Sequence, residues 1–416
     1  MQHAEACHPD GGSRSNTNAD PEPRFPLFLR PRPDGGSAPP AEAARLAAKV
    51  KRLARAAGLD VAAITDAAPF PGLAEHLEGH VAAGRVAGLD WFTPERAAAS
   101  ADPAGVHPGA RSVVAVGLAY LGPDLPKPDD GIPRGRISRY ARGADYHRLL
   151  RDRMRALHRA IEQEVGRPVD ARFLVDTARV VDRALAARAG LGWYGKHACL
   201  IVPGLGSWVL LGALTLDLDL APDAPLARDC GRCAICLDRC PTGAIVGPHT
   251  VSAPRCLSFQ TIEQRGAIPR ELRPALGDWV YGCDVCQDVC PYTAAASRAV
   301  DRSLLPATVD HAYPSLPWLL AMDEATFRTT FRHTPVVRAK RAGLARNAAV
   351  ALGNIGNERH AHLLERALAE HDAPLVRGHA AWALGRVGGR AALRRARDRE
   401  RDPTVREEIE AALAEA

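Results

Sequence analysis

The chain has 416 residues, 46% of them hydrophobic and 25% charged, with a net charge of +6. That length allows two or three domains with real cores. No apolar run approaches the ~20 residues of a membrane helix, since the longest candidate, SWVLLGALTLDLDL, is broken by Asp217 and Asp219. The start, MQHAEACHPDGGSRSN, lacks the charged and then apolar regions of a secretory signal, so a cytoplasmic, reducing location is expected. The mild cationic surplus permits an anionic partner without demanding one.

Residues 1 to about 40 are rich in Pro, Gly, Ser and Asn and are expected to be disordered, with Cys7 a bystander thiol. From Ala41, AEAARLAAKVKRLARAAG places Leu46, Val50 and Leu53 on one helical face with Gly58 as a stop signal. VAAITD and RSVVAVGLAY read as strands, and HLEGHVAAGRVAGLDWF between them reads as a second amphipathic helix. The proline-rich GPDLPKPDDGIPRG is a surface loop, and the segment after it ends in a long basic helix that stops near Gly166. Then come a strand over ARFLVD, a helix over VVDRALAARAG and the turn LGWYGK. ACLIV and SWVLLGALTL read as strands that PGLGS joins into a hairpin. Strands alternate with helices to about residue 220, which predicts an α/β or α+β sandwich.

Eight of the ten cysteines lie between Cys230 and Cys290. CGRCAICLDRCP sets Cys230, Cys233, Cys236 and Cys240 at gaps of two, two and three residues before Pro241, which is the bacterial ferredoxin run. In that run three thiolates hold one cluster and the fourth reaches the other. GCDVCQDVCP supplies Cys283, Cys286 and Cys290, with Val280 standing where a full second copy needs a cysteine. Cys256 brings the count to the eight thiolates that two four-iron clusters require. The crossover rule assigns Cys230, Cys233, Cys236 and Cys290 to one 4Fe-4S cluster, and Cys240, Cys256, Cys283 and Cys286 to the other. Paired CxxC motifs also build zinc sites, but three cysteines at two-residue gaps crowd a single zinc and both runs close in Cys-Pro. Disulfides would require an oxidising compartment.

In the tail, LARNAAVALGNIG from Leu344 and LVRGHAAWALGRVG from Leu375 are near-copies offset by 31 or 32 residues, with a third, partial copy from Val405. That period indicates a short HEAT-like solenoid. Just before it, Arg328, Arg332, Arg338, Lys340, Arg341 and Arg346 fall within nineteen residues. Such a run is either a solvated charged face or a contact for a phosphate backbone.

No GxGxxG between strand and helix and no GxxxxGK[ST] is present, so nothing supports a nicotinamide cofactor or ATP. The candidate chemistry lies in SRYARGADYH, FLVDT and AGLGWYGKH. Asp176 ends a predicted strand, where a carboxylate serves either as an acid catalyst or as a helix cap. Lys196 and His197 read as loop residues and Cys199 as a small core hydrophobe.

In their order and spacing VDT, GLGWYGK, GSWVLLG, the eight-cysteine pattern, CLSFQTIEQRG and GLARNAAVALGN resemble the epoxyqueuosine reductase family, from about residue 42 to the end. The resemblance implies an α+β protein. A cobalamin-binding α/β sandwich (41–224) would be followed by a ferredoxin-like domain with two 4Fe-4S clusters (225–300) and an all-α HEAT-like domain that helps grip tRNA (301–416). It implies an enzyme that completes queuosine in tRNA by reducing epoxyqueuosine, with base-off cobalamin cycling to Co(I) and electrons arriving from an external donor. By motif, Asp176 falls on the family's proton donor, Arg139 and Ser258 on positions lining the cobalamin pocket, and Arg265 on a tRNA contact. Arg338, Lys340 and Arg341 become candidate tRNA contacts, and a monomer is expected. The chain departs from the family in CPYT, where many relatives carry Trp-Asn after the proline. Arg96 is one candidate for the arginine that often precedes the family's Asp-Pro.

Two other readings compete. A cobalamin and iron-sulfur reductase of a small molecule leaves the helical tail without a purpose. An electron-transfer protein would use the repeats to dock its partner.

Overall fold

The computed structural model describes residues 40–294, 296 and 300–415, so the N-terminal segment with Cys7 lies outside the described residues. The N-terminal part is built on a four-stranded sheet of β1 (Val61–Asp66), β2 (Ser112–Ala119), β3 (Ala171–Leu174) and β4 (Val209–Leu216). Its order is β1-β2-β4-β3, antiparallel at every pairing. All eight residues of β2 are buried, as expected of a strand covered on both faces. Alternation sorts them. Val114, Val116 and Leu118 meet Val50 and Ala54 of helix Ala41–Ala56 and Leu150, Met154 and Leu157 of helix Tyr146–Val165. Val113 and Ala115 meet Ala184–Ala187 of the short helix Asp182–Arg188.

Two expectations are corrected. SWVLLGALTL does not form a hairpin with ACLIV. Leu200–Ile201 pairs instead with Trp193–Tyr194, inside the predicted turn, and β4 lies between β2 and β3. A strand apolar on both faces belongs in the sheet interior, whatever its chain neighbour. The helix expected across HLEGHVAAGRVAGLDWF ends at Ala82, because Gly84 and Gly88 adopt left-handed backbone (φ 65° and 83°).

In the cysteine-rich part, one-turn helices Ile235–Asp238 and Val285–Asp288 each carry the middle cysteine of their run. The tail is helical, with Lys340–Ile355, Pro374–Arg386 and Pro403–Glu415 packed in succession. One hydrophobic core runs through both regions, from Ile137, Leu257, Ile268, Leu276 and Val280 to Leu344, Leu352, Leu384 and Ile409.

Candidate active site

A cavity of about 790 Å³ opens where the sheet part, the cysteine-rich part and the start of the helical tail meet. Tyr140, Tyr146 and His147 come from the start of helix Tyr146–Val165 and the segment before it. Asp176 and Thr177 follow β3, Cys256, Ser258, Phe259 and Glu263 surround helix Leu257–Ile262, and Val337 and Arg338 precede Lys340–Ile355. Leu89, Phe259, Ile262 and Val337 give it apolar walls. The size and mixed lining suit a large organic cofactor or a nucleoside.

Asp176 holds a left-handed backbone (φ 46°), uncommon outside glycine but one of the conformations that aspartate tolerates in turns. Its Oδ2 lies 3.1 Å from His147 Nε2, and His147 Nδ1 lies 2.6 Å from Asp145 Oδ1. Arg338 Nη1 stands 3.9 Å from the same Asp176 oxygen, while its Nε pairs with Glu263. The hydrogen bond from His147 holds the Asp176 carboxyl below its ordinary value, with the charges of Arg338 and Arg183 adding to the effect, although the side chain is 45% exposed and its ion pairs are partly screened by solvent. Burial disfavours the charge on His147, but its bonds to Asp145 and Asp176 outweigh this and raise its pKa to about 9. At neutral pH the pair therefore carries one proton, and it resides on the imidazole. Tyr146 stacks on His147 with ring centres 4.1 Å apart, and burial pushes its phenol well above the ordinary range.

The cysteine thiols fall near one another in two groups, Cys230, Cys233, Cys236 and Cys290 in one and Cys240, Cys256, Cys283 and Cys286 in the other. Burial, with Cys230, Cys290 and Cys233 adding to it, pushes the Cys236 thiol up to about 12. Burial likewise raises Cys283 to about 12, with Cys256 and Cys240 among its charged neighbours. Burial lifts Cys286 well above the ordinary value, and Cys283 and Cys256 contribute. Among the described residues, no three His, Cys, Asp or Glu side chains are arranged to hold a single metal ion.

Cys256 reaches the cavity wall; the first set does not. Cys230, Cys233, Cys236 and Cys290 instead line a small cleft with Lys196 and His197. Lys196 donates to Gly231 O at 2.6 Å, and burial lowers the pKa of His197 to about 4, so its ring is neutral. Burial raises the Cys199 thiol above its ordinary value, so it packs as a neutral side chain beside Cys286.

Other expected site residues separate. Ser258 lines the cavity, but Arg139 does not. The Arg139 guanidinium instead pairs with Asp124 at 3.1 Å, lies 3.7 Å from Asp288 and covers the Trp208 ring, so its neighbour Tyr140 takes the wall position. Arg265 donates to Arg338 O at 2.8 Å and supports the cavity rim. The basic run is not one face. Arg338 faces the cavity and Lys340 is exposed, whereas Arg341 is mostly buried and bonds Asp372 at 2.7 Å. Arg346 is fully buried and donates to Gln260 O (2.6 Å), Gln264 O (2.8 Å) and Gly266 O (2.7 Å). Sequence reasoning missed His147, Glu263 and the two tyrosines as site residues, although His147 and Tyr140 stand in a motif already singled out.

Comparison with known proteins bears on this geometry. Residues 101–177 match the family model described as epoxyqueuosine reductase QueG, 229–293 a 4Fe-4S double cluster binding domain, and 336–414 HEAT repeats. The chain is 39% identical to an epoxyqueuosine reductase of Xanthomonas campestris over 82% of its own length and 96% of the relative's. It is 37% identical to one from Pseudomonas aeruginosa over 86% of this chain and 99% of that one. Among solved structures, an epoxyqueuosine reductase with an epoxyqueuosine-modified tRNA-Tyr stem loop superposes with a TM-score of 0.83 at 32% identity, covering 89% of this chain and 98% of that one. A Bacillus subtilis epoxyqueuosine reductase, with its catalytic aspartate loop swung out of the active site, gives 0.82 at 31% identity, with coverage of 89% and 99%.

Proposed function

This chain belongs to the epoxyqueuosine reductase family, and we infer from that premise that it reduces epoxyqueuosine to queuosine at the wobble position of tRNA. The observation that carries the reading within the molecule is the Asp176–His147 pair facing a cavity whose opposite wall includes a cysteine of the double-cluster domain. Protons and electrons thus reach one space from two sides.

The reaction replaces an epoxide by an alkene and water, consuming two electrons and two protons. The Cys230, Cys233, Cys236 and Cys290 set lies away from the cavity and the Cys240, Cys256, Cys283 and Cys286 set lies against it. This order suits electrons passing inward from an external donor. The cavity also fits cobalamin, because its volume, its apolar walls of Leu89, Phe259, Ile262 and Val337 and the polar edges at Ser258 and Thr334 match a broad, mostly apolar ring system. Cobalamin held there would supply the strongly nucleophilic, low-potential centre that epoxide opening needs.

The chain's own residues supply the rest. The opening epoxide oxygen is too basic to leave unprotonated at neutral pH, so it needs an acid within reach. Asp176 is that acid, acting with the proton that His147 holds in the resting state. Asp145 fixes the imidazole orientation through Nδ1, which aims Nε2 at Asp176. Because the oxygen departs as water, the pair must be refilled in every turnover, and half-buried Asp145, in contact with His147, gives it a path toward solvent. The modified base must leave its stack to enter the cavity, which costs less in an anticodon loop than in a duplex. Arg338, exposed Lys340 and Arg265 lie at the rim where the RNA backbone would run.

Anaerobic turnover tests this reading: reconstituted protein, cobalamin, a strong reductant and tRNA carrying epoxyqueuosine, with digested nucleosides weighed by mass spectrometry. The expected product lacks one oxygen and appears only with added cobalamin. Unchanged nucleoside, with iron and cobalamin both bound, overturns it.

A further inference from the structure

Of the large hydrophobic side chains on the described surface, Trp91 is the most exposed at 52%, and it stands at the cavity mouth. Its ring forms part of the cavity wall and also one side of a separate recess of about 260 Å³, completed by Thr93, Glu95, Arg96, Ala99 and Arg179. The Arg96 guanidinium covers the ring at 5.5 Å from its centre and hydrogen-bonds Thr177 O (3.2 Å) and Ala178 O (2.9 Å) through Nη2. Its Nε is shielded from solvent and has no hydrogen-bond partner among the described residues. An edge-on contact with Phe92, ring centres 5.6 Å apart, supports the Trp91 ring and leaves about half of it open beside the cavity.

We propose that the recess is the seat of the nucleotide adjoining epoxyqueuosine in the anticodon loop, whose base stacks on Trp91. The proposal rests on the tRNA reading above. When the modified base swings into the cavity its neighbour loses a stacking partner, and an aromatic ring at the cavity lip replaces it. The occupant is a base and not a bare phosphate, because Glu95 opposes an anion and offers an acceptor to an amino group or a ribose hydroxyl, while the Thr93 hydroxyl is engaged as the helix cap, accepting from Arg96 N–H at 3.2 Å. Arg179, exposed on the far side of the recess, is placed for the phosphate that follows. The seat also shares an anchor with the chemistry. Arg96 holds the carbonyls of the two residues that directly follow Asp176, so a base that orders the Trp91–Arg96 pair also orders the left-handed turn presenting the carboxylate.

The test uses the cofactor-loaded full chain and an epoxyqueuosine stem-loop, intact or with an abasic site on either side of the modified nucleotide. Trp91→Ala is expected to weaken binding of the intact stem-loop about ten-fold, in the range of one base–aromatic stack, while Trp91→Phe recovers most of it. On one flank the abasic change should cost the wild type about as much and cost Trp91→Ala almost nothing. A merely structural role for Trp91 would not produce this coupling. Additive losses on both flanks, or wild-type affinity in Trp91→Ala, overturn the proposal. If the wild type turns over the stem-loop but no coupling is found, only this inference falls. If the wild type does not turn it over, the functional reading falls and takes this inference with it.

Discussion

His147 Nε2 stands 3.1 Å from Asp176 Oδ2, and this one contact places the site's mobile proton on a histidine and not on the acid that sequence points to. Removing the carboxylate should therefore stop proton delivery without disturbing the redox centres. Asp176→Asn is expected to lose about 10²- to 10⁴-fold in turnover, the range of a positioned acid, with iron content unchanged. Unchanged single-turnover rates would remove Asp176 from the mechanism.

The same contact sets a pH limit. The His147 pKa in the folded protein, about 9, is above its ordinary value, so the stabilisation from its ion pairs is complete below ~6.5 and is lost as pH rises through about 9. Turnover should fall along that alkaline limb. His147→Gln should lower the plateau and abolish the limb, which a pH profile of kcat would register.

Crossed cluster ligands make a separable prediction. Cys256→Ser should lose the cluster at the cavity and keep the Cys230 set, leaving about half the iron and an electron paramagnetic resonance signal from one cluster. Cys290→Ser, only a few residues from Cys286, should lose the other one. Loss of both signals from either variant would refute the partition.

Lys340 and Arg341 are adjacent in sequence and should behave differently. Lys340→Ala should weaken tRNA binding and reduce the salt slope by about one phosphate contact. Arg341→Ala should leave that slope unchanged and lower the melting temperature, because its partners are Asp372 and Glu324. Equal salt slopes for both variants and the wild type would return the whole run to a solvated face.

Arg346→Met should be the most damaging change in the tail. It strands the buried carbonyl of Gln260, worth ~1–3 kcal/mol when left without a donor, and the partly buried carbonyls of Gln264 and Gly266, so a loss of about 2 kcal/mol or more is expected in denaturant unfolding. A change below 1 kcal/mol would mean that water reaches those carbonyls.

What sequence reveals and what it hides follow from distance along the chain. The double-cluster domain was legible because each of its two cysteine runs is compressed into about a dozen residues, and the helical repeats because their period is written twice. The partner of Val209–Leu216 was not, since an apolar strand does not say which neighbour it pairs with, and the nearest in sequence was the wrong one. Arg346 read as surface charge because the carbonyls that bind it lie about eighty residues away, at Gln260 to Gly266. His147 was visible but mute, because only the fold brings it to Asp176. Arg139 was singled out by motif, and its pairing with Asp124 and Asp288, brought near only by the fold, could not be read from the sequence.

The hydrophobic core that passes without a break from Ile137 and Val280 into Leu344 and Leu384 has a mechanical consequence. Helical repeats are usually pictured as a flexible arm, but here the first of them is welded to the iron-sulfur housing, with Arg273 clasping Glu408 of the last helix. Whatever the outer helices grasp is thereby held at a fixed offset from the redox centres. The tail works as a ruler, and a chain cut before Lys340 would lose its housing as well as its grip.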